Sequence, residues 1–137
     1  MSAAGPAMLD SDILSALIGS DPVVLRRADA YLGRYLQLNV SAMSDFEVRR
    51  GLAARPAPAK ERRYEEFTQF IEILPLDGEI FRVAAVEYGR LHRLGRLIPD
   101  ADLLIAATAL VHGLTLITNN QDDFARIERL RLDNWLA

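Results

Sequence analysis

Cysteine is absent from this chain of 137 residues. Its absence excludes disulfide bonds, thiolate metal sites and cysteine nucleophiles, and it is compatible with the cytoplasmic location that we expect. Long hydrophobic runs are absent too, because none reaches the roughly 18 residues that mark a membrane-spanning helix. The chain does not open with a charged segment followed by an apolar one, so we also expect no secretory signal.

Histidine is scarce, and the patterns of several enzyme classes are missing. The two histidines, His92 and His112, fall on separate predicted helices without the spacing of metal ligands. We interpret both as structural or surface residues. The chain contains neither a glycine-rich phosphate loop nor a Ser/His/Asp arrangement.

A surplus of positive charge is also lacking, since the net charge is −3. Taken alone, this balance argues against a nucleic-acid partner. The basic residues are nevertheless clustered, and nearly all are arginine, which favours bidentate contacts with phosphate. Two groups stand out: Arg49, Arg50, Arg55, Lys60, Arg62 and Arg63, and then Arg90, Arg93 and Arg96 beside His92. Solvated helix faces and phosphate-binding surfaces would both produce this pattern.

What the chain does contain is an alternation of short apolar segments with amphipathic ones. We predict strands at Ala7–Leu9, Leu38–Ser41, 73–76 and 114–117, and helices at 12–18, from 22 onward, after Ser44, at 60–72, at 78–94 and from Pro99 or Asp100 to Gly113. This alternation indicates an α/β sandwich with a mostly parallel sheet. We expect one domain over residues 8–137, preceded at residues 1–7 by a flexible extension or expression remnant.

Carboxylate and amide side chains stand at the ends of four apolar segments. They are Asp10 and Asp12, then Glu47, then Asp102, and finally Asn120 and Asp123 after Thr118. Ligands of parallel sheets gather beyond the carboxyl ends of the strands, so we expect Asp10 and Asn120 at one edge. Clustered like charges are unfavourable unless a cation neutralises them, and oxygen-only ligands suit Mg²⁺ or Mn²⁺. The pattern predicts metal-assisted hydrolysis of phosphodiesters.

These residues also have purely structural interpretations. Asp10 could cap a helix or form an Asx turn, and Glu47 could complete a capping box. Asp102 could interact favourably with its helix dipole, although Asp100 lies nearer to the expected cap. The polar residues that precede Phe124 could simply form a loop before the chain returns to the core.

The order and spacing of the motifs resemble the PIN-domain family, and within it the VapC-type toxins of bacterial toxin–antitoxin pairs. The matching segments are LDSDILS at 9–15, SAMSDFEVRRG at 41–51, PDADLLIAA at 99–107, LITNN at 116–120 and FARI at 124–127. The resemblance spans residues 8–135 and implies a three-layer α/β/α sandwich.

The resemblance further implies a metal-dependent ribonuclease whose first three acids fall on Asp10, Glu47 and Asp102. Asp10 and Asp102 would hold Mg²⁺ or Mn²⁺, and Glu47 would hold a second ion or orient the attacking water. The family's fourth acidic position falls on Asn120, which would position water or substrate. Because Asn120 carries no charge, Asp123 remains an alternative for the fourth position.

Supporting residues and partners follow from the same resemblance. Asp12 stands where the family more often has asparagine, and with Thr118 it would support the acids. Arg49 and Arg50 would contact substrate phosphates. An antitoxin that blocks the site, a homodimer and tRNA as the favoured substrate are also implied. Two alternatives stay open: an enzyme acting on DNA or small phosphoesters, and a non-catalytic domain that serves as a binding module.

Overall fold

The computed structural model of the chain describes residues 5–136. Within them, five parallel strands form a central sheet. They are β1 (Ala7–Leu9), β2 (Leu38–Ser41), β3 (Ile71–Leu74), β4 (Thr115–Ile117) and β5 (Leu132–Asp133). Their order across the sheet is β3-β2-β1-β4-β5, and each neighbouring pair is parallel. β1 therefore lies in the middle, and the predicted mostly parallel sheet is confirmed.

Helices cover both faces of this sheet. They are α1 (Ser11–Ile18), α2 (Pro22–Leu32), α3 (Ala42–Ala54), α4 (Pro58–Phe67), α5 (Gly78–Leu94), α6 (Asp100–His112) and α7 (Gln121–Phe124). Successive side chains of a strand point to opposite faces, so Leu9 packs with α1 and α2 whereas Met8 packs with α5 and α6. The predicted three-layer α/β/α sandwich is confirmed, and its double cover explains the apolar strands.

The start of α3 differs from the sequence-based prediction. Ser41 caps this helix, and its hydroxyl accepts a hydrogen bond of 3.0 Å from the backbone N–H of Ser44. The capping box predicted for Ser44 and Glu47 is therefore wrong, because the helix begins three residues earlier than that motif requires. The carboxylate of Glu47 is left for other contacts.

The bounds of α5 and α6 agree with the predicted ranges. The side chain of Asp77 accepts a hydrogen bond from the backbone N–H of Ile80 and so caps α5. Gly113 ends α6 with φ +65°, a left-handed conformation that glycine adopts without a steric penalty.

Two predicted bounds in the middle of the chain are wrong. The helix predicted at 60–72 is α4, which ends at Phe67, and the strand predicted at 73–76 is β3 at Ile71–Leu74. Ile71 and Ile73 pair in parallel with Leu38 and Val40 of β2. Sheet pairing and the strand preference of β-branched residues outweigh the helical spacing that continues past Phe67.

The described chain ends are tied to the sheet. Ala7 belongs to β1, and the carbonyl of Pro6 accepts a hydrogen bond of 3.0 Å from the backbone N–H of Thr115. The ordered sheet thus begins before the predicted domain boundary at residue 8. The rest of the predicted extension falls largely on residues 1–4, which lie outside the described residues.

The segment after α7 contains a strand that we did not predict. Leu132–Asp133 forms β5 at the edge of the sheet, and Trp135 is buried with its ring centre 5.9 Å from that of Tyr31. In residues 5–136 no helix combines the length and apolarity needed to cross a membrane.

Candidate active site

Asp10 lies where the neighbouring strands β1 and β4 end together. Leu9 and Ile117 are partners in the parallel pair of β1 and β4, so the residues that follow them, Asp10 and Thr118, are neighbours. The Thr118 hydroxyl donates a hydrogen bond of 2.7 Å to Oδ2 of Asp10, and the backbone N–H of Ser11 donates one of 2.8 Å to Oδ1. Asp10 is therefore both the cap of α1 and a buried carboxylate, 5% exposed, at the carboxyl edge of the sheet.

Asp12 is held by the loop that follows β4. The backbone N–H of Asn119 donates a hydrogen bond of 3.0 Å to Oδ2 of Asp12, and the N–H of Ile13 donates one of 2.7 Å to Oδ1. The amide of Asn134 in turn donates a 2.9 Å hydrogen bond to Oδ1 of Asn119. Burial raises the pKa of Asp12 above its usual value.

Glu47 contacts the start of α1 through a residue that our sequence analysis did not single out. The hydroxyl of Ser11 donates a hydrogen bond of 3.1 Å to Oε1 of Glu47, and Nη2 of Arg50 lies 3.6 Å from Oε2. Because the backbone of Ser11 also binds Asp10, one residue connects the first two acids. The run of Asp10-Ser11 after a strand was the available signal, but nothing in the sequence pairs Ser11 with Glu47.

Asp102 faces the other acids from the first turn of α6. Its pKa is raised to about 6, first by burial and then by the negative charges of Glu47, Asp123 and Asp12. Asp100, by contrast, is exposed. The structure therefore gives Asp102 a place among the acids rather than only an interaction with the dipole of its helix.

Both candidates for the fourth position lie at this edge. The side-chain amide of Asn120 donates a hydrogen bond of 3.2 Å to Oδ2 of Asp123, and the backbone N–H of Asn120 donates one of 3.0 Å to the Thr118 hydroxyl. Asp123 also lies 3.8 Å from Nη2 of Arg126, and its charge raises the pKa of Asp102. Asn120 and Asp123 are therefore in direct contact, and of the two only Asp123 is negatively charged.

The two predicted phosphate-binding arginines have different surroundings. Arg49 pairs with Asp45 at 3.0 Å and with Glu65, and its guanidinium stacks over the ring of Tyr64. Arg50, whose side chain is 60% exposed, has its acidic partner in Glu47. Arg49 therefore has two acidic partners, whereas Arg50 has one, at a longer distance, and is more exposed.

The acid cluster carries the electrostatic signature of a cation site. Burial raises the pKa of Asp10 to about 7, and the negative charges of Asp12 and Asp102 add to this rise. The hydrogen bond from Thr118 opposes it. Five carboxylates share this edge: Asp10, Asp12, Glu47, Asp102 and Asp123. Such mutual repulsion is relieved by a cation, and the oxygen-only donor set fits Mg²⁺ or Mn²⁺.

The carboxylates do not form a finished coordination shell. Among the described residues, no three Asp, Glu, His or Cys side chains are grouped closely enough to hold a metal ion. The side chains would have to draw together around an ion, whose charge would offset their mutual repulsion. The donor chemistry therefore fits a divalent cation.

Comparisons with known proteins agree with this geometry. The family model for the PIN domain matches residues 7–130. The chain is similar to Ribonuclease VapC2 of Haemophilus influenzae, with 30% identity over 135 residues, which cover 94% of this chain and 97% of that one. It is also similar to the tRNA(fMet)-specific endonuclease VapC of Shigella flexneri, with 28% identity over 130 residues, 93% of this chain and 96% of that one.

A solved structure shares the whole architecture. The structure described as VapBC2 from Rickettsia felis bound to a DNA fragment from their promoter superposes with a TM-score of 0.86 at 25% identity, covering 96% of this chain and 99% of that one. The match with the family model spans most of the chain. The similar proteins are VapC ribonucleases, and the similarity extends over nearly their full length. This chain therefore belongs to the PIN domain family and, within it, to the VapC type.

Proposed function

We propose that the chain is a metal-dependent endoribonuclease, the toxin of a toxin–antitoxin pair, which hydrolyses phosphodiester bonds of RNA with Mg²⁺ or Mn²⁺. The observation that carries this proposal is the convergence of five carboxylates on one sheet edge, with the pKa of Asp10 raised to about 7. The names of the similar proteins support the choice of RNA over DNA.

Asp10 and Asp102 would hold the ion, because burial first, and then the surrounding negative charges, raise their pKa values to about 7 and about 6. A divalent ion bound there lowers the pKa of a water molecule and offsets charge that grows on the phosphate oxygens. Thr118 and the backbone of Ser11 fix the orientation of Asp10 before any ion arrives.

The remaining side chains position the reactants. Glu47 is held on one oxygen by the hydroxyl of Ser11, and it is available to orient the attacking water or to bind a second ion. Asn120 would position water or substrate through its amide, while Asp123 supplies the fourth negative charge. Arg50, beside Glu47, would contact a phosphate of the substrate.

Partners and substrate are proposed from the similar proteins. We propose tRNA as the substrate, since one relative is a tRNA(fMet)-specific endonuclease. We propose a cognate antitoxin because complexes described as VapBC share this fold. A homodimer and a cytoplasmic location complete the proposal and follow from the family resemblance.

The test is incubation of the purified protein with total RNA in Mg²⁺, in Mn²⁺ and in EDTA, followed by mapping of the cut site. We expect cleavage that requires the ion and that is lost in Asp102→Asn. Cleavage of duplex DNA or of small phosphoesters without cleavage of RNA would favour the alternative enzyme. Absence of heat on calorimetric titration with Mg²⁺, together with absence of cleavage, would favour a non-catalytic binding module.

A further inference from the structure

Two exposed side chains of α3 lie directly beside the candidate acid Glu47. Phe46 precedes Glu47, and its side chain is 52% exposed. The guanidinium carbon of Arg50 lies 5.4 Å from the centre of the Phe46 ring, and Nη2 of Arg50 lies 3.6 Å from Oε2 of Glu47. An accessible aromatic ring, a cation and a candidate catalytic acid are therefore adjacent on one helix.

A second arginine of the same helix, which pairs with an aromatic ring of α4, provides a contrast. Arg49 stacks over Tyr64 at 5.2 Å, but Tyr64 is 1% exposed and donates a hydrogen bond of 2.6 Å to Asp45. That pair joins α3 to α4 and has no accessible ring. Phe46 retains half of its surface with Arg50 already against it, so its ring has room for another flat group.

We propose that Phe46 and Arg50 form a nucleobase subsite for single-stranded RNA. One unpaired base stacks on the Phe46 ring, and Arg50 contacts the phosphate next to it. Stacking on an aromatic face is the usual way in which proteins hold unpaired bases, and a base inside an A-form duplex has no free face to offer. The subsite rests on the proposed function, and it adds that the nucleotide flanking the scissile bond is unpaired and splayed out.

The position next to Glu47 favours RNA over a protein partner as the occupant. A phosphate that approaches the acids passes the guanidinium of Arg50, and the base attached to the neighbouring ribose then reaches Phe46. An apolar side chain of a bound protein would also contact Phe46, but it would leave Arg50 paired only with Glu47. A loss of antitoxin binding without a loss of RNA binding in Phe46→Ala would therefore overturn the proposal.

The experiment compares variants on one short RNA oligonucleotide that contains the mapped cut site. Phe46→Ala should raise KM about 5- to 100-fold with little change in kcat, since one stacking contact is lost. Phe46→Trp should restore the wild-type KM. Phe81→Ala is the matched control, because Phe81 is 51% exposed on α5, a helix that carries none of the acids.

Two altered substrates separate a base contact from a structural effect. On an oligonucleotide with an abasic site at the flanking nucleotide, wild type and Phe46→Ala should have the same KM. On the oligonucleotide annealed to its complement, the wild type should lose most of its cleavage. A KM in Phe46→Ala equal to that of the wild type on the intact strand, or a defect that persists on the abasic strand, would refute the subsite.

Failure of the proposed function is distinguishable from failure of the subsite. If the wild type cleaves no RNA, the nuclease proposal fails, and fluorescence anisotropy of the same oligonucleotide still tests the subsite. In that measurement Phe46→Ala should bind more weakly than Phe81→Ala. Equal binding by these two variants would refute the subsite independently of any cleavage.

Discussion

The hydroxyl of Thr118 donates a 2.7 Å hydrogen bond to Oδ2 of Asp10 across 108 residues of sequence. Both residues are buried, and each directly follows one of the neighbouring strands β1 and β4. This contact opposes the effect of burial on Asp10, because a hydrogen bond donated to a carboxylate favours its charged form. Thr118 therefore keeps Asp10 closer to the state in which it can bind a cation.

Thr118→Val should weaken the affinity for Mn²⁺ and the rate of RNA cleavage about 10- to 100-fold, as is typical when the partner of a metal-binding side chain is removed. Thr108→Val is the control, because the equally buried Thr108 donates its hydroxyl hydrogen bond within α6, to the carbonyl of Leu104. Calorimetric titration with Mn²⁺ measures the first quantity. Equal affinities in the two variants would contradict this role of Thr118.

Asp10→Asn and Asp102→Asn should each abolish cleavage while the fold persists, since each removes a negative charge but keeps the side-chain size. For the half-buried Asp102, relief of repulsion should stabilise the metal-free protein by about 0.5–1 kcal/mol. Circular dichroism and thermal melting in EDTA check the fold. Normal cleavage in either variant would contradict the assignment of that residue to the metal site. Loss of the folded state would instead favour the structural interpretation of that residue.

The stability of the metal-free protein should fall as the pH rises from about 4 to about 7. The pKa values of Asp10 and Asp102 in the folded protein, about 7 and about 6, exceed the ordinary value of 3.8. The folded state therefore binds protons more tightly than the unfolded state, so this stabilisation is complete below pH 4 and lost as the pH passes the folded pKa values. Melting temperatures in EDTA between pH 4 and pH 8 measure it.

Asp102→Asn should flatten the upper part of this pH dependence, and Asp100→Asn on the exposed side of the same turn should not. Saturating Mg²⁺ should reverse the trend in the wild type, because the ion binds the ionised carboxylates. Identical pH profiles for wild type and Asp102→Asn would mean that Asp102 lies apart from the other acids.

Asn120→Asp should preserve or tighten metal binding, because it adds an acid where Asn120 now donates to Asp123 at 3.2 Å. Without an ion, two carboxylates at that separation should lower the melting temperature. Asp123→Ala should be nearly silent in the Asn120→Asp background. If Asp123→Ala alone stops cleavage while Asn120→Ala does not, the fourth position belongs to Asp123.

Mg²⁺ should weaken the binding of a cognate antitoxin, and so should salt. An antitoxin arginine placed among Asp10, Glu47 and Asp102 would use the same carboxylates as the ion, since a guanidinium bridges carboxylates well. Affinities measured across a Mg²⁺ series check this expectation. An antitoxin affinity that does not change with Mg²⁺ would place the blocking contacts away from the acids.

The proposed dimer has a separate test, which is sedimentation of the toxin alone. A strict monomer in that measurement would contradict the dimer.

Sequence reasoning placed Asp10 and Asn120 together because strand ends in a parallel sheet share one edge, whereas the roles of Glu47 and Asp102 came from the resemblance to the PIN-domain family. Asp10 and Thr118 follow predicted strands, and the structure brings them into contact. Asp102 could be distinguished from Asp100 because it lies two residues further into the helix. The contact between neighbouring strand ends follows from local pattern and general topology, which a single sequence contains.

Contacts between distant segments were beyond that reasoning. The hydrogen bond from Ser11 to Glu47 depends on how α1 and α3 pack, and no periodicity encodes it. Arg49 and Arg50 are adjacent, and the sequence does not distinguish their surroundings, yet only Arg49 forms an ion pair with Glu65 of α4. The two-residue strand β5 is likewise too short to produce a recognisable pattern, because it forms by pairing with β4.

The last described residues are connected to the candidate acid Asp12, although they lie far from it in the sequence. Trp135 packs against Tyr31, and Asn134 beside it donates a hydrogen bond to Asn119, whose backbone N–H in turn holds Asp12. The carboxyl-terminal segment thus acts as a brace for the loop that carries Thr118 and Asn120. We expect a fusion or truncation that disturbs this segment to alter the position of Asp12, because two hydrogen bonds connect the two.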